Sequence, residues 1–298
     1  MNFAVTGGAG FIGSHLTKYL ISEGHNVTVI DNLFRGKLSN LEEVKDRINF
    51  IKLDILDIEN LRKVLQNVDG IFHQAALTSV PESYKKEDEY KNVNIKGTEN
   101  IFKIAKEFEI KVVYASSSSV YGDIKNIPIT EDFERKPINP YGLTKLEDEY
   151  LAEAYSKSNV KIIGLRYFNV FGVGQTLDYA GVITKFFEKI NQGKSPVVYG
   201  DGLQIRDFIF VNDVARANVA AMISKVDHGF FNVGTGKTIS IKDLANLMIK
   251  ILEEDLEPIF DKIPDGDVKL SQADVSLAKN MLDWQSITTL EDGLRTMF

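Results

Sequence analysis

The chain has 298 residues, 44% hydrophobic and 26% charged, with a formal net charge of −7. That length accommodates one large domain or two ordinary ones with a proper core, and the acidic balance opposes general attraction to phosphate backbones and acidic membranes, so neither nucleic acid nor membrane is an expected partner. The absence of cysteine excludes disulfides, thiolate nucleophiles and Cys-ligated metal, and the four histidines, His15, His25, His73 and His228, show no paired spacing for zinc.

No apolar run approaches the roughly 18 to 20 residues that span a bilayer. The opening "MNFAVTGGAGFIG" has glycines where a secretory leader would carry a basic and then an apolar stretch, so a soluble, cytoplasmic protein is expected. From there, the short apolar runs "NFAVTG", "NVTVID", "INFIKLD", "GIFHQAA", "KVVYASS" and "VKIIGLRYF" alternate with amphipathic stretches such as "SHLTKYLISEG" and "NIKGTENIFKIAKEF". This alternation predicts an α/β fold, a Rossmann-type doubly wound parallel sheet, over residues 1–170.

The first strand leads into "VTGGAGFIGSHL", where Gly7, Gly10 and Gly13 lie three apart and Gly8, Gly10 and Gly13 also satisfy G-x-G-x-x-G. Such a turn needs unusual dihedrals, and a side chain would keep the backbone from a pyrophosphate held at the helix N-terminus. Asp31 ends the second strand. Its carboxylate can accept hydrogen bonds from a ribose diol and would repel a 2′-phosphate, which predicts NAD rather than NADP, although Arg35 and Lys37 follow closely. The alternative for Asp31 is a strand-end turn residue.

Tyr-x-x-x-Lys occurs twice after the fifth run. Tyr121 and Lys125 enclose Gly122 and Asp123 and lead toward Pro128, a loop in which that spacing does not bring side chains together. Tyr141 and Lys145 follow Asn139 and Pro140, a helix cap and first-turn residue, so they share a helix face. An ammonium beside the phenol favours phenolate, as a general base for a sugar hydroxyl requires. The alternative is an exposed Tyr and Lys on a helix surface.

Beyond residue 170 the pattern loosens. The Gly-bearing loops "FGVGQT", "YGDGLQ" and "NVGTGKT" surround "VITKFFEKINQG" and "IKDLANLMIKIL", which predicts a smaller C-terminal α/β substrate lobe over 171–298, with segments near 207–235 returning to the first.

As an ordered set, "TGGAGFIGSH", "DNLFRG", "LDILD", "HQAALTSVPES", "SSSSVYGD", "NPYGLTK", "LRYFNVFG", "YGDGLQIRDFIFVNDVA" and "GDVKLSQADVSLAKNMLDW" resemble the extended short-chain dehydrogenase/reductase family, and within it nucleotide-sugar 4-epimerases of the UDP-glucose 4-epimerase type. "HQAALTSVPES" is similar to epimerases of UDP-N-acetylated hexosamines. The resemblance implies catalysis by Ser117, Tyr141 and Lys145. It implies cofactor contacts from Gly7, Gly10, Phe11, Ile12 and Gly13, from Asp31, Asn32, Leu33, Arg35 and Gly36, and from Asp54 and Ile55 at the adenine. Gln74, Ala75, Ala76, Leu77 and Thr78 would follow the pyrophosphate and ribose, with Phe168 by the nicotinamide and Tyr141 and Lys145 also touching the cofactor. Asn94 either supports that site or is purely structural.

For substrate, the same resemblance points to Thr78, Ser117, Tyr141, Asn169, Val182, Val197, Tyr199, Arg206 and Ser271, with Asn169 and Arg206 on the diphosphate. Arg206 as a plain surface charge is the alternative. Related enzymes carry an Arg where this chain has Pro264, leaving Lys262 or Lys269 as substitutes, and the small Ser271 should leave room for an N-acetyl group. Related 4,6-dehydratases place Asp and Glu after the catalytic hydroxyl, and UDP-glucuronate decarboxylases a Glu at the second position; here Ser118 and Ser119 stand instead.

The expectation is an NAD-dependent 4-epimerase of UDP-glucose and UDP-galactose, extending to UDP-N-acetylglucosamine and UDP-N-acetylgalactosamine, that works through a transient 4-keto sugar and forms a homodimer through "NIKGTENIFKIAKEF" and "YLAEAY". Three other readings remain: a UDP-uronate 4-epimerase, a nucleotide-sugar reductase, and a non-catalytic dinucleotide-sensing protein.

Overall fold

The computed structural model describes residues 1–175, 181–262 and 269–297. The six apolar runs become strands β1 (Asn2–Thr6), β2 (Asn26–Asp31), β3 (Ile48–Lys52), β4 (Gly70–His73), β5 (Lys111–Ser117) and β6 (Ile162–Tyr167). Further strands are β7 (Asn169–Phe171), β8 (Val197–Tyr199), β9 (Ile205–Arg206), β10 (Phe208–Phe210), β11 (His228–Val233), β12 (Ile239–Ser240) and β13 (Ile259–Asp261). The main sheet has seven strands in the order β11-β6-β5-β4-β1-β2-β3, each pair parallel.

Helices α1 (Phe11–Ser22), α2 (Ile58–Leu65), α3 (Val80–Ser83), α4 (Glu87–Tyr90), α5 (Gly97–Phe108) and α6 (Pro140–Ser156) belong to the first half. In the second half are α7 (Val182–Asn191), α8 (Val211–Ile223), α9 (Ile241–Ile251), α10 (Ser276–Leu282) and α11 (Leu290–Arg295). Alternate strand residues face opposite sides of the sheet. Phe3 and Val5 therefore join Leu16, Leu20, Val214 and Met222 in one core, while Ala4 joins Ile71, Ile101, Phe102 and Tyr114 in the other. Cover on both faces explains why these strands read as nearly unbroken apolar runs.

Because β1 lies between β2 and β4, the winding reverses there, and a crevice opens at the C-terminal ends of the strands. The chain returns to the edge of this sheet as β11, beyond residue 170, while the remaining late strands form only two-stranded pairs: β10 with β7, β12 with β9 and β13 with β8. Around them Phe171, Phe186, Phe208, Phe210, Leu244 and Met248 make a separate core. Among the described residues no helix is long and apolar enough to cross a membrane.

Candidate active site

The loop after β1 is shaped by crowding. Gly7 has φ +68°, and a Cβ there would lie 2.7 Å from the Ala75 Cα; at Gly13 it would lie 2.2 Å from the Gly7 carbonyl oxygen. Neither position tolerates a side chain. Gly10 caps α1 without a side-chain hydrogen bond, and no acidic residue occupies the first turn. The helix therefore presents its N–H groups and positive end to the crevice, an arrangement suited to a pyrophosphate.

At the end of β2, Asp31 is buried, with Oδ2 accepting from the Ala9 N–H (3.0 Å) and Oδ1 from the Leu33 N–H (2.8 Å). Burial pushes its pKa up, against the pull of these two backbone donors. Each oxygen keeps acceptor capacity for a ribose hydroxyl. Arg35, the nearby cation that would favour a 2′-phosphate, is ion-paired with Glu82, so the local charge suits a diol. Asn32 donates to Asp54 (2.8 Å), which ties the ends of β2 and β3 together.

Tyr141 and Lys145 sit at the start of α6, where the Asn139 side chain accepts from the Gly142 N–H (2.8 Å) and Pro140 occupies the first turn. The Tyr141 N–H donates to the Ser83 hydroxyl (3.2 Å), anchoring the helix start to α3. Ser117 ends β5; its hydroxyl donates to the Ser119 hydroxyl and accepts from the Ser119 N–H, both at 3.1 Å. Tyr121 is core: its hydroxyl donates to Asn232 (2.7 Å) and accepts from Arg166 (2.8 Å), and burial pushes its pKa to about 12. Lys125 is exposed in a loop. The two Tyr-x-x-x-Lys spacings thus diverge as the helix argument predicts.

One cavity of about 500 Å³ gathers most of the residues singled out from the sequence. Gly7, Gly10, Phe11, Ile12, Gly13, Asp31, Asn32, Arg35, Gly36, Asp54 and Ile55 line it, as do Gln74, Ala75, Ala76, Leu77, Thr78, Ser117, Tyr141, Lys145 and Phe168. Leu33 and Asn94 stand behind the wall. Leu33 turns the chain at φ +61°. Asn94, fully buried, holds both the N–H (2.8 Å) and carbonyl (3.0 Å) of Leu77 and donates to Thr144 (3.0 Å), pinning the 74–78 loop to α6. The cavity walls, the side-chain-free helix end and the Asp31 acceptor fit an NAD-sized dinucleotide.

Asn169, Val182, Val197, Tyr199, Arg206 and Ser271 do not line this cavity. They lie outside it, at the starts of β7, α7 and β8, on β8 and β9, and on the segment after Lys269. Asp207 connects part of that group. Fully buried, it accepts from Thr235 N–H (2.8 Å) and Oγ1 (2.7 Å) through Oδ1, and from Gly236 N–H (2.9 Å) and Ala273 N–H (3.1 Å) through Oδ2. Its carbonyl receives the Asn169 side chain (3.0 Å). The segments bearing Asn169, Arg206 and Ser271 therefore meet at one residue, Asp207, through its main-chain carbonyl on one side and its carboxylate on the other. Pro264 lies outside the described residues; Lys262 and Lys269 are exposed.

Sequence reasoning missed a set of charged residues behind the site. Asp148 and Glu149, in the charged stretch "LEDEY", are both fully buried. Glu149 pairs with Arg166 through Nε and Nη2 (both 2.8 Å) and with Arg135 (3.0 Å), and accepts from the Ser116 hydroxyl (2.7 Å), next to Ser117. Helical phase carried the signal: positions 141, 145, 148, 149 and 152 share one face. Phe34, Asn40, Glu89, Val93, Tyr167 and Gln175 also line the cavity without having been anticipated.

Residues 3–234 match the model of the NAD dependent epimerase/dehydratase family. The structure is similar to that of a UDP-N-acetylglucosamine 4-epimerase from Methanobrevibacter ruminantium M1 in complex with UDP-N-acetylmuramic acid, with 38% identity over 99% of this chain and 96% of that one and a TM-score of 0.95. It is also similar to a UDP-glucuronic acid 4-epimerase from Bacillus cereus in complex with UDP-glucuronic acid and NAD, at 34% identity over 100% of this chain and 98% of that one, TM-score 0.92. By sequence it is 34% identical, over 98% of its length and 94% of the relative's, to a UDP-N-acetyl-alpha-D-glucosaminuronate decarboxylase from Bacillus cytotoxicus. The chain belongs to the NAD dependent epimerase/dehydratase family, whose cofactor is NAD.

Proposed function

We propose that this family member is a UDP-hexose 4-epimerase, interconverting UDP-glucose with UDP-galactose and UDP-N-acetylglucosamine with UDP-N-acetylgalactosamine. The observation that carries the reading is the pair Ser118 and Ser119 beside Ser117. In the 4,6-dehydratases and UDP-glucuronate decarboxylases that the sequence resembles, carboxylates stand at these positions beside the catalytic hydroxyl; Ser118 and Ser119 supply no such acid–base group. Of the carboxylates that line the cavity among the described residues, Asp31 and Asp54 stand at the ends of β2 and β3, and Glu89 is on α4, where it pairs with Lys86. A redox-neutral inversion remains.

Tyr141, as phenolate, takes the proton of the 4-hydroxyl, directly or through the Ser117 hydroxyl, and the Lys145 ammonium favours that ionised form. NAD, held along the glycine loop, Asp31 and the 74–78 loop, would supply a reversible hydride acceptor for the sugar's C4. Asn169 and Arg206 hold the diphosphate while the 4-keto sugar turns, so that its other face receives the hydride and Tyr141 gives the proton back. Residues 1–170, with returning segments near 207–235, serve mainly the cofactor, and 171–298 mainly the sugar nucleotide. Leu143 and Tyr150, 44% and 45% exposed on α6, favour a homodimer through α5 and α6.

A UDP-uronate 4-epimerase shares this machinery, and the likeness to the Bacillus cereus enzyme favours it as the second reading. Washed protein incubated with a panel of nucleotide sugars and no added cofactor separates the two. The 4-epimers of UDP-glucose and UDP-N-acetylglucosamine are the expected products. Conversion of UDP-glucuronate alone selects the uronate reading, and a stoichiometric need for added NADPH replaces both with a reductase.

A further inference from the structure

Three residues past Lys145, Asp148 is fully buried, and its Oδ2 lies 3.2 Å from the Lys145 ammonium, itself 3% exposed. The other oxygen, Oδ1, is buried without a hydrogen-bond partner. A buried carboxylate left half-satisfied destabilises the fold, and pairing with one ammonium is the least that retains it. An ammonium has three donors. One is committed to Asp148, which does not itself line the cavity, leaving two for the cavity that Lys145 lines.

The other charged or titratable groups around this pair are fixed. On α6, Glu149 is matched by Arg166 of β6 and by Arg135. His73 of β4, hydrogen-bonded to Thr6 (2.7 Å) and Thr98 (2.9 Å), is kept neutral because burial and the Lys145 charge push its pKa to about 3. Tyr114 of β5 stays protonated, burial raising its pKa well above the ordinary value. From α5 comes only the Thr98 hydroxyl. Asp148 differs: burial raises its pKa to about 6, with the Lys145 charge opposing, so it changes charge near neutrality.

We propose that Asp148 is a positioning residue that acts through Lys145: it anchors the ammonium and offsets part of the positive field felt by Tyr141, and so sets the pH at which Tyr141 becomes a base. The proposal rests on Tyr141 being the proton acceptor. Seven residues along a helix place Asp148 about 10 Å from Tyr141. A unit charge at that range in a protein interior moves a neighbouring pKa by about one pH unit. Removing it leaves the Lys145 charge unopposed and makes the phenolate easier to form.

The test compares wild type with Asp148→Asn, which keeps shape and removes charge. Two readouts are taken: the acid limb of kcat/KM against pH, and the absorbance titration of Tyr141 phenolate, isolated by subtracting Tyr141→Phe. Both midpoints should fall by about one pH unit in the variant. If Asp148→Asn does not fold, Asp148→Ser is titrated in the same way. A lower activity or melting temperature with unmoved midpoints, or an upward shift, overturns the proposal. The absorbance arm needs no substrate, so a mistaken choice of sugar leaves it readable. If Tyr141→Phe removes no low-pH phenolate signal from the wild type, the base assignment falls, and this proposal with it.

Discussion

In the first lobe, most residues lining the cavity stand at the ends of six of the seven hydrogen-bonded parallel strands or on helices packed against them, whereas among the described residues the later strands outside that sheet pair only two by two. Where the later segments join the first lobe, side chains take over part of the work of the ladder. Asp207 gathers four donors from two segments, and Asp213 accepts from the N–H groups of Ile287 (3.2 Å) and Thr288 (2.9 Å) and from Arg216 (2.8 Å). A ladder distributes positioning over many weak bonds; a buried carboxylate concentrates it in one residue. Single substitutions in the first lobe should therefore mainly remove chemistry, and those in the second should displace binding groups.

The largest effect expected is chemical. Tyr141→Phe should lower kcat by about 10²- to 10⁴-fold, the usual contribution of a positioned general base, with cofactor content unchanged. Lys125→Ala, in the other Tyr-x-x-x-Lys, should change turnover little. Comparable losses from both would show that the catalytic pair has been misplaced.

Next comes the clamp. In Asp207→Asn the amide nitrogen cannot accept, so two of the buried donors lose their partner, at about 1–3 kcal/mol each. KM for the UDP-sugar should rise roughly a hundredfold with bound cofactor retained, read by steady-state kinetics and by the nucleotide released on denaturation. A fall in kcat at constant KM would place Asp207 in the chemistry and erase the contrast between the lobes.

Ser271→Tyr should have the smallest and most selective effect. If the side chain faces the substituent at sugar C2, filling that space costs about 1–3 kcal/mol, roughly ten- to a hundredfold in kcat/KM for UDP-N-acetylglucosamine and much less for UDP-glucose. An unchanged ratio between the two substrates would remove Ser271 from the specificity pocket.

The same contrast explains what could be read from the sequence. β1 to β6 are local apolar runs, Asn139 and Pro140 announce the start of α6, and the glycine loop is marked by its spacing between a strand and a helix, so short-range rules reach all of them even though Gly7 is also crowded by the distant Ala75. Asp207 looks like one more charge in "QIRDF", and its partners lie 28 to 66 residues away. Arg166 carries a signal of its own: a cation inside the buried strand "IIGLRY" implies an internal partner, and that partner, Glu149, lies 17 residues earlier on the face of α6 that carries Tyr141 and Lys145. Distance in sequence hid those residues.

The central claim, a hydride removed from C4 and returned to the same carbon, is tested most directly with substrate deuterated at C4. Washed protein, with no cofactor added, should convert it to the 4-epimer with deuterium kept at C4 and none gained from deuterated solvent when unlabelled substrate is used. Loss of the label to solvent, or a keto or decarboxylated sugar accumulating in place of the epimer, would contradict the account.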